Sequence, residues 1–215
     1  QIERHAGREE GAETLAGDAA QPDHHGVVGQ PVIAVFLRHL AGEHGPGRPV
    51  DVADGASLFW LPLETILFED SALDRTIDVR LAEQATFLAV ESVVLGRMAM
   101  GEMVRRVRLK DRWNIRRGPS LIHMECLRFG PQPPTSAATL AGAKAFATVL
   151  FVSPECDSRL PLVRALLESD GGVSCWNGKL LARLVAADGL HLRKCLAAVL
   201  AACLPGRQLP TTWAL

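Results

Sequence analysis

The chain has 215 residues, of which 48% are hydrophobic and 22% charged, and its formal net charge at pH 7 is −1. A chain of this length buries roughly 70% of its unfolded surface, enough for one globular domain or two small ones without a disulfide or a metal. The balanced charge excludes a global attraction to nucleic acid or anionic membranes, and no apolar run reaches the ~20 residues of a membrane span. Five cysteines without regular spacing are typical of reduced thiols, and the first residues lack a signal-peptide pattern. We therefore expect a soluble cytoplasmic protein.

Residues 1–50 differ in composition from the rest of the chain. Residues 1–30 are rich in Gly, Ala, Glu and His and have little periodicity, which is typical of loop or disorder. The stretch PVIAVFLRHLAGEHG (31–45) predicts one short helix that ends at Gly42 or Gly45. We expect an atypical, poorly structured segment here.

From residue 51 onward the hydrophobic pattern is that of β-strands. In RTIDVRL (75–81) apolar residues alternate with charged ones, which is the period of a half-buried strand. The alternation is clearest in VRLKDRWNIR (107–116), where Trp113 falls on the apolar face and Asp111 is a carboxylate on that same face. The opposite, outward face holds Arg108, Lys110, Arg112 and Arg116.

A third strand has a different pattern. AFATVLFV (145–152) is rich in β-branched and aromatic residues, which indicates a more fully buried strand. Short gaps that contain Gly, Pro or Asp separate these runs, such as FEDSALD (68–74) and RRGPS (116–120). Gaps of this kind predict hairpin connections between consecutive strands.

The C-terminal third contains helical patterns. LPLVRALLES (160–169) has apolar residues at helical spacing, and GLHLRKCLAAVLAACLPG (189–206) carries one apolar stripe that ends at Pro and Gly. Between them GKLLARLVAADG (178–189) fits either a strand or a helix. The predicted fold is mainly β with a helical C-terminal part, in the α+β class.

The common self-contained catalytic signatures do not occur in the sequence, which contains no GxxxxGK[ST], GxSxG, HExxH or CxxC motif. His123 and Cys126 lie three apart on a predicted strand, so they face opposite sides and cannot chelate one ion. Cys195 and Cys203 fit small core residues. We therefore expect no permanently bound cofactor or metal.

The run from Arg97 to Arg117 holds eight Arg or Lys residues against two acids. A nucleic-acid-binding protein that uses the basic strand 105–117 is one interpretation. The charges alternate along a strand, however, and Trp113 is the one aromatic residue among them. This pattern favours a solvated strand face or a docking face for an acidic partner.

Four acids occupy positions of apolar character: Glu64, Glu91, Glu102 and Asp111. Each could pair with an arginine inside a sheet. Together they could line a polar interior path, because oxygen ligands can pass a divalent ion along without trapping it. A third interpretation is a carboxylate-based hydrolase that uses acid/base pairs. We also expect Glu91, Glu102 and Arg97 to form one buried polar network.

A family resemblance covers these residues. Residues 55–102 follow the pattern W-x-P-x-E-T-I-x-F and then G-R-x-x-x-G-E of the urease accessory protein UreD (UreH) family. The first part is matched by Trp60, Pro62, Glu64, Thr65, Ile66 and Phe68. The second part is matched by Gly96, Arg97, Gly101 and Glu102. Further stretches, such as DRWNIRRG and the closing LPTTW, also resemble that family, so the likeness runs from about residue 53 to residue 215.

The resemblance implies a non-enzymatic chaperone with the β-sheet body of the UreD type in residues 51–215. Such proteins bind apo-urease and the partner UreF, which recruits the GTPase UreG, and the assembly helps to load nickel into urease. The chain could form a homodimer within that complex, with no nucleic-acid or membrane partner. A nickel ion would pass transiently, and the path candidates are Glu64, Glu91, Glu102 and Asp111.

Two departures from the family pattern stand out. Leu63 occupies a position that is commonly polar in the family. Residues 1–50 do not resemble the family's strand-rich N-terminal region with its G-G-D-like turn, so the UreD-type domain is N-terminally incomplete. We hypothesise that this segment is an out-of-frame or misjoined translation. Reading the gene upstream of codon 53 in the other two frames tests this hypothesis.

Overall fold

The computed structural model describes residues 32–35, 49–204 and 206–213, and in these residues it has eleven strands and two α-helices. The strands are β1 Val32–Val35, β2 Val50–Val52, β3 Ser57–Trp60, β4 Thr65–Leu67, β5 Ala72–Leu81, β6 Thr86–Leu95, β7 Arg108–Arg117, β8 Ser120–Phe129, β9 Ala145–Val152, β10 Gly171–Trp176 and β11 Lys179–Ala186. The helices are α1 Cys156–Leu167 and α2 Gly189–Cys203, with short 3₁₀ helices at Met98–Met100 and Thr211–Trp213.

The strands form two mixed sheets. The larger sheet has the order β1-β3-β6-β9-β11-β10, and β4 also pairs with β6. In it β1, β3, β4 and β6 run parallel, whereas β6, β9, β11 and β10 alternate in direction. The smaller sheet has the order β2-β5-β7-β8, with β7 and β8 joined as an antiparallel hairpin.

The larger sheet is the middle of three layers. On β6, Phe87 and Ala89 pack into a core shared with the smaller sheet, whereas Leu88 and Val90 pack into a second core with the two helices. A strand covered on both faces is expected to be apolar throughout. This arrangement explains why residues 87–95 of β6 and 145–152 of β9 are all buried and, apart from Glu91, Ser92 and Thr148, apolar.

The predicted α+β class is confirmed, as are most of its elements. On β7, Trp113 is 2% exposed and Asp111 is buried beside it, whereas Arg108, Lys110 and Arg112 point outward. The strand predicted at 145–152 has those bounds. Both helices occur where expected, although α1 begins four residues earlier, and the ambiguous segment 178–189 contains strand β11.

Two local predictions are wrong. Residues 116–120 form a hairpin, but 68–74 connect β4 in the larger sheet to β5 in the smaller one. Alternation identifies strands without specifying their partners, and here β5 pairs parallel with β7. The predicted helix at 31–45 is also contradicted, because Val32–Val35 is a strand parallel to β3. Its VIAV sequence is β-branched, and an available strand edge favours the extended form.

Residues 1–31 and 36–48 lie outside the described residues, and so does the rest of the predicted helix. The expectation that residues 1–50 are poorly structured therefore stays a prediction. Among the residues that the structure does describe, no helix combines the length and apolarity needed to cross a bilayer.

Candidate functional site

The four acids singled out from the sequence each face an arginine. Glu91 and Asp111 share Arg75, while Glu64 and Glu102 have separate partners. The arginine-paired interpretation is therefore the one that the structure describes. The three pairings lie in different places: one between the two sheets, one against the helical layer and one at the turn after β6.

The central pairing is a buried triad between the two sheets. Arg75 on β5 sits opposite Asp111 on β7 in the parallel register, and Glu91 reaches them from β6 of the larger sheet. Arg75 Nη1 lies 2.5 Å from Glu91 Oε2, and Nη2 lies 2.7 Å from Asp111 Oδ2. Arg75 Nε donates to Asp111 Oδ1 at 3.2 Å. The side chains are 10%, 3% and 6% exposed for Arg75, Glu91 and Asp111 respectively.

Two residues of the W-x-P-x-E-T motif hold the triad in place. The Trp60 indole donates to Glu91 Oε1 at 2.7 Å, and Arg75 Nη1 donates to Thr65 Oγ1 at 3.3 Å. Burial raises the pKa of Glu91 to about 7; Arg75 and the Trp60 hydrogen bond oppose this rise, and the nearby Asp111 charge adds to it. The triad thus contains a carboxyl group that changes protonation near neutral pH.

A cavity with room for about one water molecule adjoins the triad. It is lined by Glu91, Asp111 and a third acid, Glu125 on β8, together with Thr148 and apolar side chains. Glu125 pairs with Arg183 at 3.1 Å and lies 3.6 Å from His123 Nε2. The space is too small for an organic substrate beside Glu91 and Asp111. Its oxygen-rich lining is suitable for a water molecule, or for a small cation of hard or borderline character that accepts oxygen ligands.

The second pairing joins the motif segment to the helical layer. The guanidinium group of Arg193 on α2 binds the Glu64 carboxylate bidentately. Its Nε donates to Oε1 at 2.7 Å, and its Nη2 donates to Oε2. Burial raises the pKa of Glu64, but the Arg193 hydrogen bond and charge outweigh it, so the pKa lies below its usual value. The buried Trp213 indole donates to the Leu61 carbonyl at 3.1 Å. This hydrogen bond is a second contact between the motif segment and the C-terminal part of the chain.

The third pairing builds the turn that contains the G-R-x-x-x-G-E motif. Glu102 accepts hydrogen bonds from the Arg97 backbone at 2.9 Å, from Arg97 Nε at 2.8 Å and from the Glu69 backbone at 3.1 Å. These bonds lower the pKa of Glu102 to about 2. Gly96 has φ +83°, and a Cβ there would lie 3.0 Å from the Glu102 carbonyl oxygen, so the turn requires glycine.

The predicted single network of Glu91, Arg97 and Glu102 is wrong. Glu91 belongs to the buried triad, whereas the Arg97 side chain is 52% exposed and pairs with Glu102. Strand β6 ends at Leu95, and the chain then turns outward at Gly96. The charges before and after this turn therefore lie in different environments.

This turn presents apolar side chains to solvent. We call the following five residues the apolar patch: Ile66, Phe68, Met98, Met100 and Met103. The first two lie at the outward positions of β4 and just after it, and the Arg97 guanidinium lies 5.6 Å from the Phe68 ring centroid. The Glu69–Glu102 hydrogen bond fastens the methionine segment to the β4 segment. Exposed apolar side chains of this size are a common feature of interaction surfaces.

Three of the seven cations in 105–117 are paired with acids on β5 or just before it. Arg112 and Lys110 both contact Asp74 on β5, each at 3.2 Å. Arg106, just before β7, pairs with Asp70 at 2.6 Å. Cations paired in this way are less available to a phosphate backbone. The pairing is partial, so the preference for a solvated strand face or a docking face for an acidic partner stays a prediction.

The sequence analysis did not identify Arg75 and Glu125 as site residues. Extending the inward–outward alternation of their strands by one step would have identified both. In 75–81 the inward set begins with Ile77, and one further step of two places Arg75 on the same face. On β8 the inward face holds His123, and the same step places Glu125 beside it. His123 and Cys126 do face opposite sides, as predicted, and all five cysteines are free.

The fold and the site define an α+β protein whose buried acids are held by arginines and whose motif turn carries an exposed apolar patch. A profile of the family described as UreD urease accessory protein matches residues 49–214. The chain belongs to this family.

Relatives named urease accessory protein UreD agree with the family assignment. The protein of Rhizobium johnstonii is 49% identical over 168 residues, which cover 76% of this chain and 62% of that protein. The protein of Agrobacterium fabrum is 43% identical over 167 residues, covering 76% and 59%. The protein of Azorhizobium caulinodans is 40% identical over 209 residues, covering 91% and 74%. The chain thus spans less than two thirds of the length of the first two relatives.

Proposed function

We propose that this chain is a urease maturation factor that acts in the cytoplasm without catalytic activity of its own. In this proposal it binds apo-urease and a UreF–UreG GTPase complex, and it helps to deliver nickel to the urease active site. Support comes from membership of the UreD family. Five free cysteines agree with a reducing compartment.

The observation that carries the docking part of the proposal is the apolar patch. Its residues belong to, or directly flank, the two motifs by which the sequence resembles the family. Met100 and Met103 are 74% and 73% exposed, although large apolar side chains are normally covered. Methionines adapt their shape to a partner, so they suit a protein-binding surface. We propose that the patch contacts a protein of the urease maturation assembly.

A pair of matched variants tests this docking surface. Met100→Asp should weaken capture of apo-urease or of the UreF–UreG complex in a pull-down after co-expression. Met124→Asp is the control, because Met124 is 68% exposed but lies on the smaller sheet, outside the patch. Equal capture of the two variants, both folded by circular dichroism, would rule out the patch as the contact.

The nickel part of the proposal uses the buried acids. We propose that Glu91 and Asp111, next to the cavity shared with Glu125, belong to a transient nickel path. Glu64 and Glu102, which lie in separate pairings, are its other candidate acids. Arg75 neutralises the pair when no ion is present, and passage requires it to move away. Carboxylate oxygens bind nickel weakly compared with thiolate or imidazole, which is suitable for transfer.

The experiment separates transport from folding. Joint replacement Arg75→Met, Glu91→Met and Asp111→Leu removes all three charges, so no buried ion is left unpaired and the fold should survive. The variant should still be captured with its partners, but urease from the co-expressing cells should have low activity and low nickel content. Normal nickel content in urease would remove this path from the proposal while leaving the docking function intact.

A further inference from the structure

A separate cluster of metal-binding side chains lies on the helical layer. Asp170 stands between α1 and β10, and His191 and Cys195 are on α2. Asp170 Oδ2 lies 2.8 Å from His191 Nε2 and 3.4 Å from Cys195 Sγ, and Cys195 Sγ lies 3.8 Å from His191 Nε2. One nitrogen, one oxygen and one sulfur ligand atom therefore converge on a single point.

Local structure fixes these three positions. His191 and Cys195 are four residues apart on a helix, so their side chains lie on the same face one turn apart. The backbone N–H of Asp170 donates to Leu167 at the end of α1, and its carbonyl accepts from Val185 of β11. The following residue is Gly171, where a Cβ would lie 2.1 Å from the Arg183 carbonyl oxygen. Asp170 is thus held against β11 and directed toward α2.

We propose that Asp170, His191 and Cys195 form a binding site for a borderline divalent transition metal such as Zn²⁺, Co²⁺ or Ni²⁺. Metal bonds of about 2.3 Å to sulfur and about 2.0–2.2 Å to nitrogen and oxygen place tetrahedral ligand atoms roughly 3.3–3.6 Å apart. The three observed separations bracket that range, so small side-chain adjustments accommodate an ion. A mixed N, O and S donor set selects such metals over Mg²⁺ and Ca²⁺.

The degree of exposure determines the kind of site. The His191 and Asp170 side chains are 48% and 33% exposed, while Cys195 packs partly against the helical core. Three protein ligands with an open side leave a coordination position for water or for a donor from another molecule. The site is therefore built for exchangeable rather than permanently enclosed metal. It lies on the helical side of the larger sheet, away from the carboxylate triad, and does not depend on the proposed urease function.

Cobalt is the probe that identifies these ligands. Co²⁺ bound to a thiolate produces a near-ultraviolet charge-transfer band, which histidine and carboxylate ligands alone do not produce. Titration of the full chain with Co²⁺ should give a saturable band at one equivalent per chain. The band should disappear in Cys195→Ser and persist in Cys126→Ser, which removes the exposed thiol on β8.

A second variant tests the histidine ligand. His191→Ala should lose the band and also the rise in thermal midpoint that Zn²⁺ causes in the wild-type chain. Because His191 is half exposed, this variant should fold normally, and circular dichroism checks it. Each of three results would overturn the proposed site. The first is a wild-type chain that shows no band, and the second is a band that survives in Cys195→Ser. The third is Zn²⁺ stabilisation that is unchanged in His191→Ala.

Discussion

Removal of Arg75 is the sharpest test of how the interior is held together. The side chain is 10% exposed and is the shared partner of Glu91 and Asp111. Arg75→Met keeps most of the volume but leaves two carboxylates in the core without their cation. Loss of one partner of a buried ion pair typically costs ~3–5 kcal/mol. Because two acids share this arginine, we expect a loss of at least that range at pH 8.

The pH dependence of the loss gives the prediction its specificity. Burial already raises the pKa of Glu91 to about 7, and without Arg75 this carboxyl holds its proton to still higher pH. The penalty should therefore shrink when the pH is lowered from 8 to 5.5, because Glu91 then becomes neutral. The assay is urea unfolding followed by circular dichroism, with the free energy of unfolding extrapolated to water at each pH.

Two further variants control the interpretation. The joint replacement of Arg75, Glu91 and Asp111 by apolar residues should recover much of the lost stability, because no charge remains unpaired. Arg97→Met should change stability little, because Arg97 is half exposed and its pairing with Glu102 is solvated. A loss below ~1 kcal/mol for Arg75→Met, or a loss that does not change with pH, would refute the argument.

Three other predictions concern the core, the titration and the N-terminal segment. Trp113→Ala should lower the free energy of unfolding by ~3–5 kcal/mol, measured by urea unfolding, and a loss under ~1 kcal/mol would contradict its core position. Glu91 has a raised pKa in the folded state, so the folded chain binds more protons than the unfolded chain between about pH 4.5 and 7 and stability falls as pH rises through that window. Glu91→Gln should remove a slope worth about 3 kcal/mol across the window, and an unchanged slope would show that another group titrates there. Deletion of residues 1–50 should shift the thermal midpoint of the remaining chain only slightly, because the sequence predicts poor packing there and the described strand β1 lies at the edge of the larger sheet; a large drop would contradict this expectation and the frame hypothesis.

Much of the fold and part of the site follow from local patterns. The alternation in 107–116 predicts that Trp113 and Asp111 face inward, and both side chains are buried. The same rule, extended by one step, identifies Arg75. What local pattern could not supply is the pairing of elements: β5 joins β7 rather than its predecessor β4, and this choice brings Arg75 against Asp111.

The sequence by itself predicted strands β5, β7 and β9, the two helices, the family motif and the acids in apolar positions, because each depends on periodicity or spacing within a short stretch. The tertiary structure alone decided which charge meets which. Glu91 and Arg97 are six residues apart, yet the turn at Gly96 separates them, while Glu91 and Arg75 meet across two sheets. The partners of a buried charge are set by the packing of layers, and layer packing depends on contacts between residues that are distant along the chain.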